Sequence, residues 1–227
     1  MSQKKSKMTD SAENRKIEII DGALKLFAQN GYHSTTLDQV AANIGVTKAT
    51  LYYYFRSKEE IIRAILKRSV NRMEKAVELG KSSLSARDKL CQFIQYHVEF
   101  SADNAELARV TFEQINALPK KTRDAIKRKQ REVVMTLQHI LEQGIRDKSL
   151  DTNDTKIASY AIIGLCNWTY HWYKPDGRLT PHQISKIYIN LLENGYLKAL
   201  SSNRKQMSPL PTGKLANKAS SKKKKRN

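Results

Sequence analysis

Three short stretches decide how this chain folds: Thr35-Thr36-Leu37-Asp38-Gln39-Val40-Ala41, then Gly45-Val46-Thr47-Lys48-Ala49-Thr50-Leu51-Tyr52-Tyr53-Tyr54-Phe55, then Ser57-Lys58-Glu59-Glu60-Ile61. Thr36, Thr47 and Ser57 are all N-cap residue types, whose side-chain oxygen accepts from a free amide in the first helical turn. Ser57 and Glu60 have the spacing of a capping box. Gly45 stands at the bend between the first two segments. The pattern predicts helices over 37–44 and 48–55 and a third opening at Ser57. Leu37, Val40, Ala41 and Ile44 supply an inner face, and Val46 and Leu51 close the angle. Two short helices joined by a glycine turn and braced by an earlier helix make a helix-turn-helix.

Working outward, residues 12–30 read as the bracing helix, with Ile17, Ile20, Leu24 and Phe27 at helical spacing and Asn30-Gly31 as its stop. The helix that opens at Ser57 carries Ile61, Ile65, Leu66, Val70, Met73 and Val77 and runs to about Gly80. Five further helices are predicted over 86–102, 104–117, 120–147, 154–173 and 181–200. The last opens cleanly, with Thr180 as cap and Pro181 in the first turn. No strand alternation is found, so the expected fold is all-α with about nine helices. The expected organisation is a disordered basic arm at 1–11, a DNA-binding domain at 12–56 and a linking helix at 57–80. A second helical domain follows at 81–200, then a disordered lysine-rich tail at 201–227.

Charge and cysteine usage narrow the class. The chain has 227 residues and a net charge of +19, but residues 198–227 hold ten Lys/Arg and no Asp/Glu, over half of the excess. A basic chain favours polyanions, and Lys222–Arg226 fits nonspecific DNA attachment or a solvated tail. Cys91 and Cys166 lie far apart, which fits a reducing cytoplasm. No run approaches the ~20 apolar residues of a membrane span. His33, His97, His139, His171 and His182 are scattered without metal-ligand spacing, so no metal site and no cofactor is expected. The absence of G-x-S-x-G, P-loop or Rossmann glycines argues against an enzyme.

The central segment carries chemistry suited to DNA. A helix fits the major groove, and lysine, threonine and tyrosine reach base edges and phosphates from its first turns. Three successive tyrosines point about 100° apart, so Tyr52–Tyr54 cannot all be core. Ser57, Lys58 and the free amides of their helix suit a phosphate. The quoted residues resemble the TetR family of transcriptional regulators, whose usual pattern is Thr-Thr-x-x-x-Ile-Ala, Gly-Val-Ser-x-Gly-Thr-Leu-Tyr-x-His-Phe and Ser-Lys-Glu-x-Leu. Ala49 stands where glycine is common and Tyr54 where histidine is. The resemblance implies that Thr36, Thr47, Thr50, Tyr52, Tyr54 and Lys58 grip phosphates of a palindromic operator, while Lys48, Ala49 and Tyr53 read bases. It also implies a prokaryotic, cytoplasmic homodimer joined through its last two helices and released from DNA by a small effector.

Both tryptophans fall in Asn167-Trp168-Thr169-Tyr170-His171-Trp172-Tyr173-Lys174-Pro175-Asp176-Gly177. This stretch resembles a subset of TetR regulators that answer to acyl-CoA thioesters, with the pattern Asn-Trp-x-x-x-Trp-Tyr-x-Pro-x-Gly. His171 stands where many of them have arginine. Residues 120–131 hold seven cations, which suit the phosphates of coenzyme A or a solvated helix face. The candidate ligand contacts are Phe112, Arg123, Lys127, Trp168, His171 and Trp172. The rival readings are a drug-like or aromatic effector and a DNA-binding protein without one.

Overall fold

The computed structural model describes residues 2–194, with side chains from residue 12. Among the described residues there are nine α-helices and no strand: α1 (Ser2–Asn30), α2 (Leu37–Asn43), α3 (Lys48–Tyr54), α4 (Lys58–Gly80), α5 (Ala86–Asp103), α6 (Ala105–Phe112), α7 (Lys120–Arg146), α8 (Thr155–Trp172) and α9 (Pro181–Asn194). A 3-10 turn, Ile115–Ala117, joins α6 to α7. The all-helical expectation holds.

Local chemistry sets the first half. Gly31 and Gly45 take positive φ of 89° and 67° after α1 and α2, the left-handed geometry that glycine accepts without a Cβ penalty. Thr36 and Gln39 form a full capping box at the start of α2. Thr47 accepts from the Thr50 amide at 3.1 Å and caps α3. Ser57 caps α4 through the Glu60 amide at 3.2 Å. Glu60 reciprocates on the amide of Arg56, at 2.8 Å, one residue earlier than the predicted box.

Ile19, Ala23 and Phe27 of α1 pack with Val40, Leu51, Phe55 and the start of α4. From there α4 runs into the second half and packs along α7, while α5 is covered by α8 and α9. Phe93, Val98, Leu137, Ile140 and Cys166 lie in that part of the core. Helices of both halves share one hydrophobic cluster, because α4 contributes to each.

Three expectations need correction. The α1 stripe is offset by two residues at its start: Ile19 is buried and Ile17 is exposed. Helix α1 also begins at Ser2, so the arm at 1–11 is helical from that residue. The lack of an apolar stripe there bears on packing, whereas Gln, Lys and Met have good helix propensity. The predicted helix 104–117 breaks after Phe112, where Gln114 turns toward α1. Residues 195–200, including Tyr196, and the tail at 201–227 lie outside the described residues.

Candidate nucleic-acid interface and effector domain

Helix α3 is anchored by Leu51, which is fully buried, and followed by buried Phe55. Lys48, Ala49, Tyr52 and Tyr53 are exposed, and Thr50 and Tyr54 are half-buried. Tyr53 is 82% exposed, and its ring meets Tyr54 edge-on at 5.0 Å. The Thr47 and Thr50 hydroxyls lie 2.8 Å apart. Lys48 donates to Asp38 at 3.0 Å, tying the first turn of α3 to that of α2, and this bond raises the lysine's pKa. Thr36 sits two residues before Asp38, at the cap of α2. The first turns of two helices therefore present hydroxyls, an ammonium and free amides together, the groups that position a phosphate backbone.

Lys58 does something else. Its Nζ donates to the carbonyls of Tyr32 (2.8 Å), His33 (3.2 Å) and Thr35 (2.9 Å). It also lies 4.6 Å from the centroid of the Tyr32 ring. Desolvation lowers its pKa. Its three donors are directed at the loop between α1 and α2, which the lysine clamps in this DNA-free structure.

The break after α6 supplies a contact that sequence reasoning missed. Gln114 accepts from the Tyr32 amide at 2.9 Å and donates to the Phe27 carbonyl at 2.6 Å. One side chain of the second half thus holds both ends of the turn that closes α1. Arg68 and Asp21 add an ion pair between α4 and α1. A lone glutamine in a predicted helix carries no local signal of this role.

Trp168 is 60% exposed and Trp172 is 45% exposed, on the outside of α8. Ile157 and Tyr160 are exposed on the same helix, and Ile187 and Leu192 on α9. Trp168 packs on His171 at 4.1 Å, and His171 on Tyr170 at 4.3 Å. Phe112 stacks on Tyr170 at 6.2 Å. The Tyr170 hydroxyl donates to Glu113 at 3.2 Å; burial, helped by the Glu113 charge, pushes its pKa up to about 12. Phe112, Tyr170, His171 and Trp168 therefore form a row of rings that runs from the interior to the surface. Arg123 instead donates to the Asn116 carbonyl at 3.3 Å, beside the 3-10 turn. Lys127 is half-buried, and no ion pair or hydrogen bond among the described residues links either cation to that aromatic group. Lys129, on the same basic segment, is paired with Glu132 and Glu74.

Among the buried polar side chains of the second half, Arg72, His97 and Ser101 retain unpartnered atoms. Arg72 of α4 is 5% exposed, with its guanidinium 4.3 Å from the centroid of the Phe100 ring. Its Nε and Nη2 have no hydrogen-bond partner. Burial lowers its pKa to about 10, which leaves it charged at neutral pH. His97 of α5 shares a 2.7 Å bond between Nε2 and Asn167 Oδ1, while its Nδ1 has no partner. Burial and the nearby Arg72 charge hold His97 well below its ordinary pKa, so it is neutral. Ser101, one turn along α5, has an unpartnered buried hydroxyl. Burial pushes the Cys166 thiol up to about 12. Among the described residues, a surface cleft of about 250 Å³ lies between α1, Arg68 and the turn after α5, and another of about 280 Å³ is lined by Trp172, Leu179 and Ile184.

Among the described residues no His/Cys/Asp/Glu group could hold a metal ion, and no helix is long and apolar enough to cross a membrane. Residues 19–65 match the family of bacterial regulatory proteins of the tetR type, and residues 83–196 match the tetracyclin repressor-like C-terminal domain. The fatty acid metabolism regulator protein of Bacillus subtilis is 28% identical over 182 residues, spanning 79% of this chain and 94% of that protein. A TetR-family transcriptional regulator from Bordetella parapertussis superposes with a TM-score of 0.73 at 29% identity, covering 82% of this chain and 97% of that one. AibR, crystallised with isovaleryl coenzyme A and operator DNA, shares the fold at a TM-score of 0.68 and 24% identity, over 78% of this chain and 97% of that one.

Proposed function

The chain belongs to the TetR family of bacterial regulatory proteins, and from that premise we propose that it is a homodimeric repressor released from a palindromic operator by an acyl-CoA thioester. The observation that carries the DNA half is α3, held by buried Leu51 while Lys48, Ala49, Tyr52 and Tyr53 face solvent. Lys48, Ala49 and Tyr53 read base edges. Thr36, Thr47, Thr50, Tyr52 and Tyr54 grip phosphates. Lys58 acts through the loop it clamps. Residues 12–56 form the reading head, 57–80 the link and 81–200 the effector and dimer domain of a cytoplasmic regulator.

Dimerisation is supported by the exposed apolar residues of α8 and α9, a patch that a monomer would leave wet. Trp168 and Trp172 belong to that patch and serve the dimer contact. The acyl-CoA assignment is supported by the Asn167–Gly177 pattern and by the relative named for fatty-acid metabolism. Phe112, His171, Arg123 and Lys127 remain the proposed ligand contacts.

The test is operator release. A binding site is selected from random DNA, and the complex is titrated with acyl-CoAs, free fatty acids and free coenzyme A while anisotropy is followed. Release by thioesters at micromolar concentration, with no release by the free acids, is the expected result. Retention of DNA with every thioester would remove the acyl-CoA assignment. Full affinity in Tyr53→Ala would remove the assignment of α3 as the reading helix.

A further inference from the structure

We infer that the interior of the effector domain holds a carboxylate site built on Arg72, with His97 and Ser101 as its polar neighbours. The inference rests on the reading of residues 81–200 as an effector domain and names the chemistry of the group received there. Arg72 is nine-tenths buried and charged, and the ion pairs among the described residues do not include it. Its guanidinium lies over the Phe100 ring, and both Nε and Nη2 lack a partner. A buried cation is ordinarily paired, because an uncompensated charge in a low-dielectric interior is strongly unfavourable. On α5, His97 Nδ1 and Ser101 Oγ are also buried and unpartnered, as are Ser82 Oγ and Thr122 Oγ1 on other segments.

The donor set selects the ligand. A guanidinium edge that offers Nε and one terminal nitrogen matches the two oxygens of a carboxylate. One cation balances a monoanion, whereas a phosphate dianion would keep excess charge in an apolar setting. Ser101, next in sequence to the Phe100 that Arg72 covers, is a further buried donor on α5. His97, neutral and oriented by Asn167, offers Nδ1 as donor or acceptor according to which way the Asn167 amide is turned. Cys166 is also buried within reach of the Arg72 charge, but as a thiol it adds no competing anion. The carboxylate can arrive in two ways: on a free carboxylic acid, or at the far end of an acyl chain whose other end is a coenzyme A thioester.

The full-length protein is titrated with four pairs of probes: hexanoyl-CoA against adipoyl-CoA, decanoyl-CoA against sebacoyl-CoA, and the free monocarboxylic and dicarboxylic acids of each length. Calorimetry reads binding, and anisotropy of the operator complex reads release. The expected result is that a carboxylate-ended thioester binds at least about tenfold more tightly than its methyl-ended partner, and that Arg72→Met abolishes this preference. Preference for a free acid over every thioester would place the carboxylate on a free acid and still support the site. Arg72→Lys keeps the charge but loses the fork, so it should lose most of the preference; it decides the matter if Arg72→Met does not fold. Tight binding without operator release would support the site and overturn effector gating. Equal affinity of the methyl-ended and carboxylate-ended thioesters with no binding by the free acids, or no binding by any probe, would overturn the site, and release by methyl-ended thioesters would then leave gating standing.

Discussion

Replacing Lys58 with methionine separates two roles for this lysine that sequence alone merges. Methionine keeps the apolar stem and removes only the ammonium, which bonds the carbonyls of Tyr32, His33 and Thr35. A bond from a charged donor contributes about 1.5–3 kcal/mol when shielded. Lys58 is half-buried, so solvent screening reduces that figure, and the three bonds together are worth about 2 kcal/mol. For a chain of this size that is a fall in Tm of about 4–8 °C. The loop between α1 and α2 also loses its clamp, so operator affinity drops by the same factor at every salt concentration. A phosphate anchor behaves differently: each neutralised phosphate contributes about 0.9 to the slope of log K against log salt, so losing one per protomer lowers a dimer's slope by about 2. Scanning fluorimetry and operator titration from low to moderate salt read both quantities. An unchanged Tm together with a slope reduced by about 2 would refute the clamp and restore Lys58 to the DNA surface.

Gln114→Ala removes two hydrogen bonds between the halves, together worth about 2 kcal/mol. If they carry the effector signal, the shift in operator Kd produced by a saturating effector shrinks by up to about 30-fold, and an unchanged shift places the coupling elsewhere. Trp168→Arg puts a charge into the apolar patch of α8; the expected result is a monomer in sedimentation and an operator affinity about a hundredfold lower. A stable dimer that has lost only its effector response would return Trp168 to the ligand. His97 is neutral in the fold with a depressed pKa, so the unfolded chain binds the extra proton. Its contribution is complete above the unfolded value near 6.5 and is lost as pH falls below it. Thermal melts between pH 7 and pH 5 should show this loss in the wild type, and His97→Gln should flatten it.

The elements that the sequence made legible are those whose determinants are local. Thr36, Thr47 and Ser57 cap the helices they precede, Gly45 makes the bend, and Val40 and Leu51 face inward as their spacing requires. What escaped depends on partners far along the chain. Lys58 has the chemistry of an anion binder, but its carbonyl partners lie 23 to 26 residues upstream. The α6 break answers to backbone groups more than 80 residues away. Helical periodicity puts Trp168 and Trp172 on a common face without saying which face is inward. Cys166, Thr169 and Tyr170 occupy the interior side, leaving the tryptophans outside.

The way Gln114 grips the first half has an evolutionary consequence. Both of its bonds go to main-chain atoms, the Phe27 carbonyl and the Tyr32 amide, which any residue at 27 and any residue but proline at 32 provides. Side chains on α3 can therefore drift, and operator preference with them, while the grip persists. The reading head is in that sense interchangeable. A chimera that grafts the recognition helix of a related regulator onto this scaffold should adopt the donor's operator while keeping the effector response proposed for this chain.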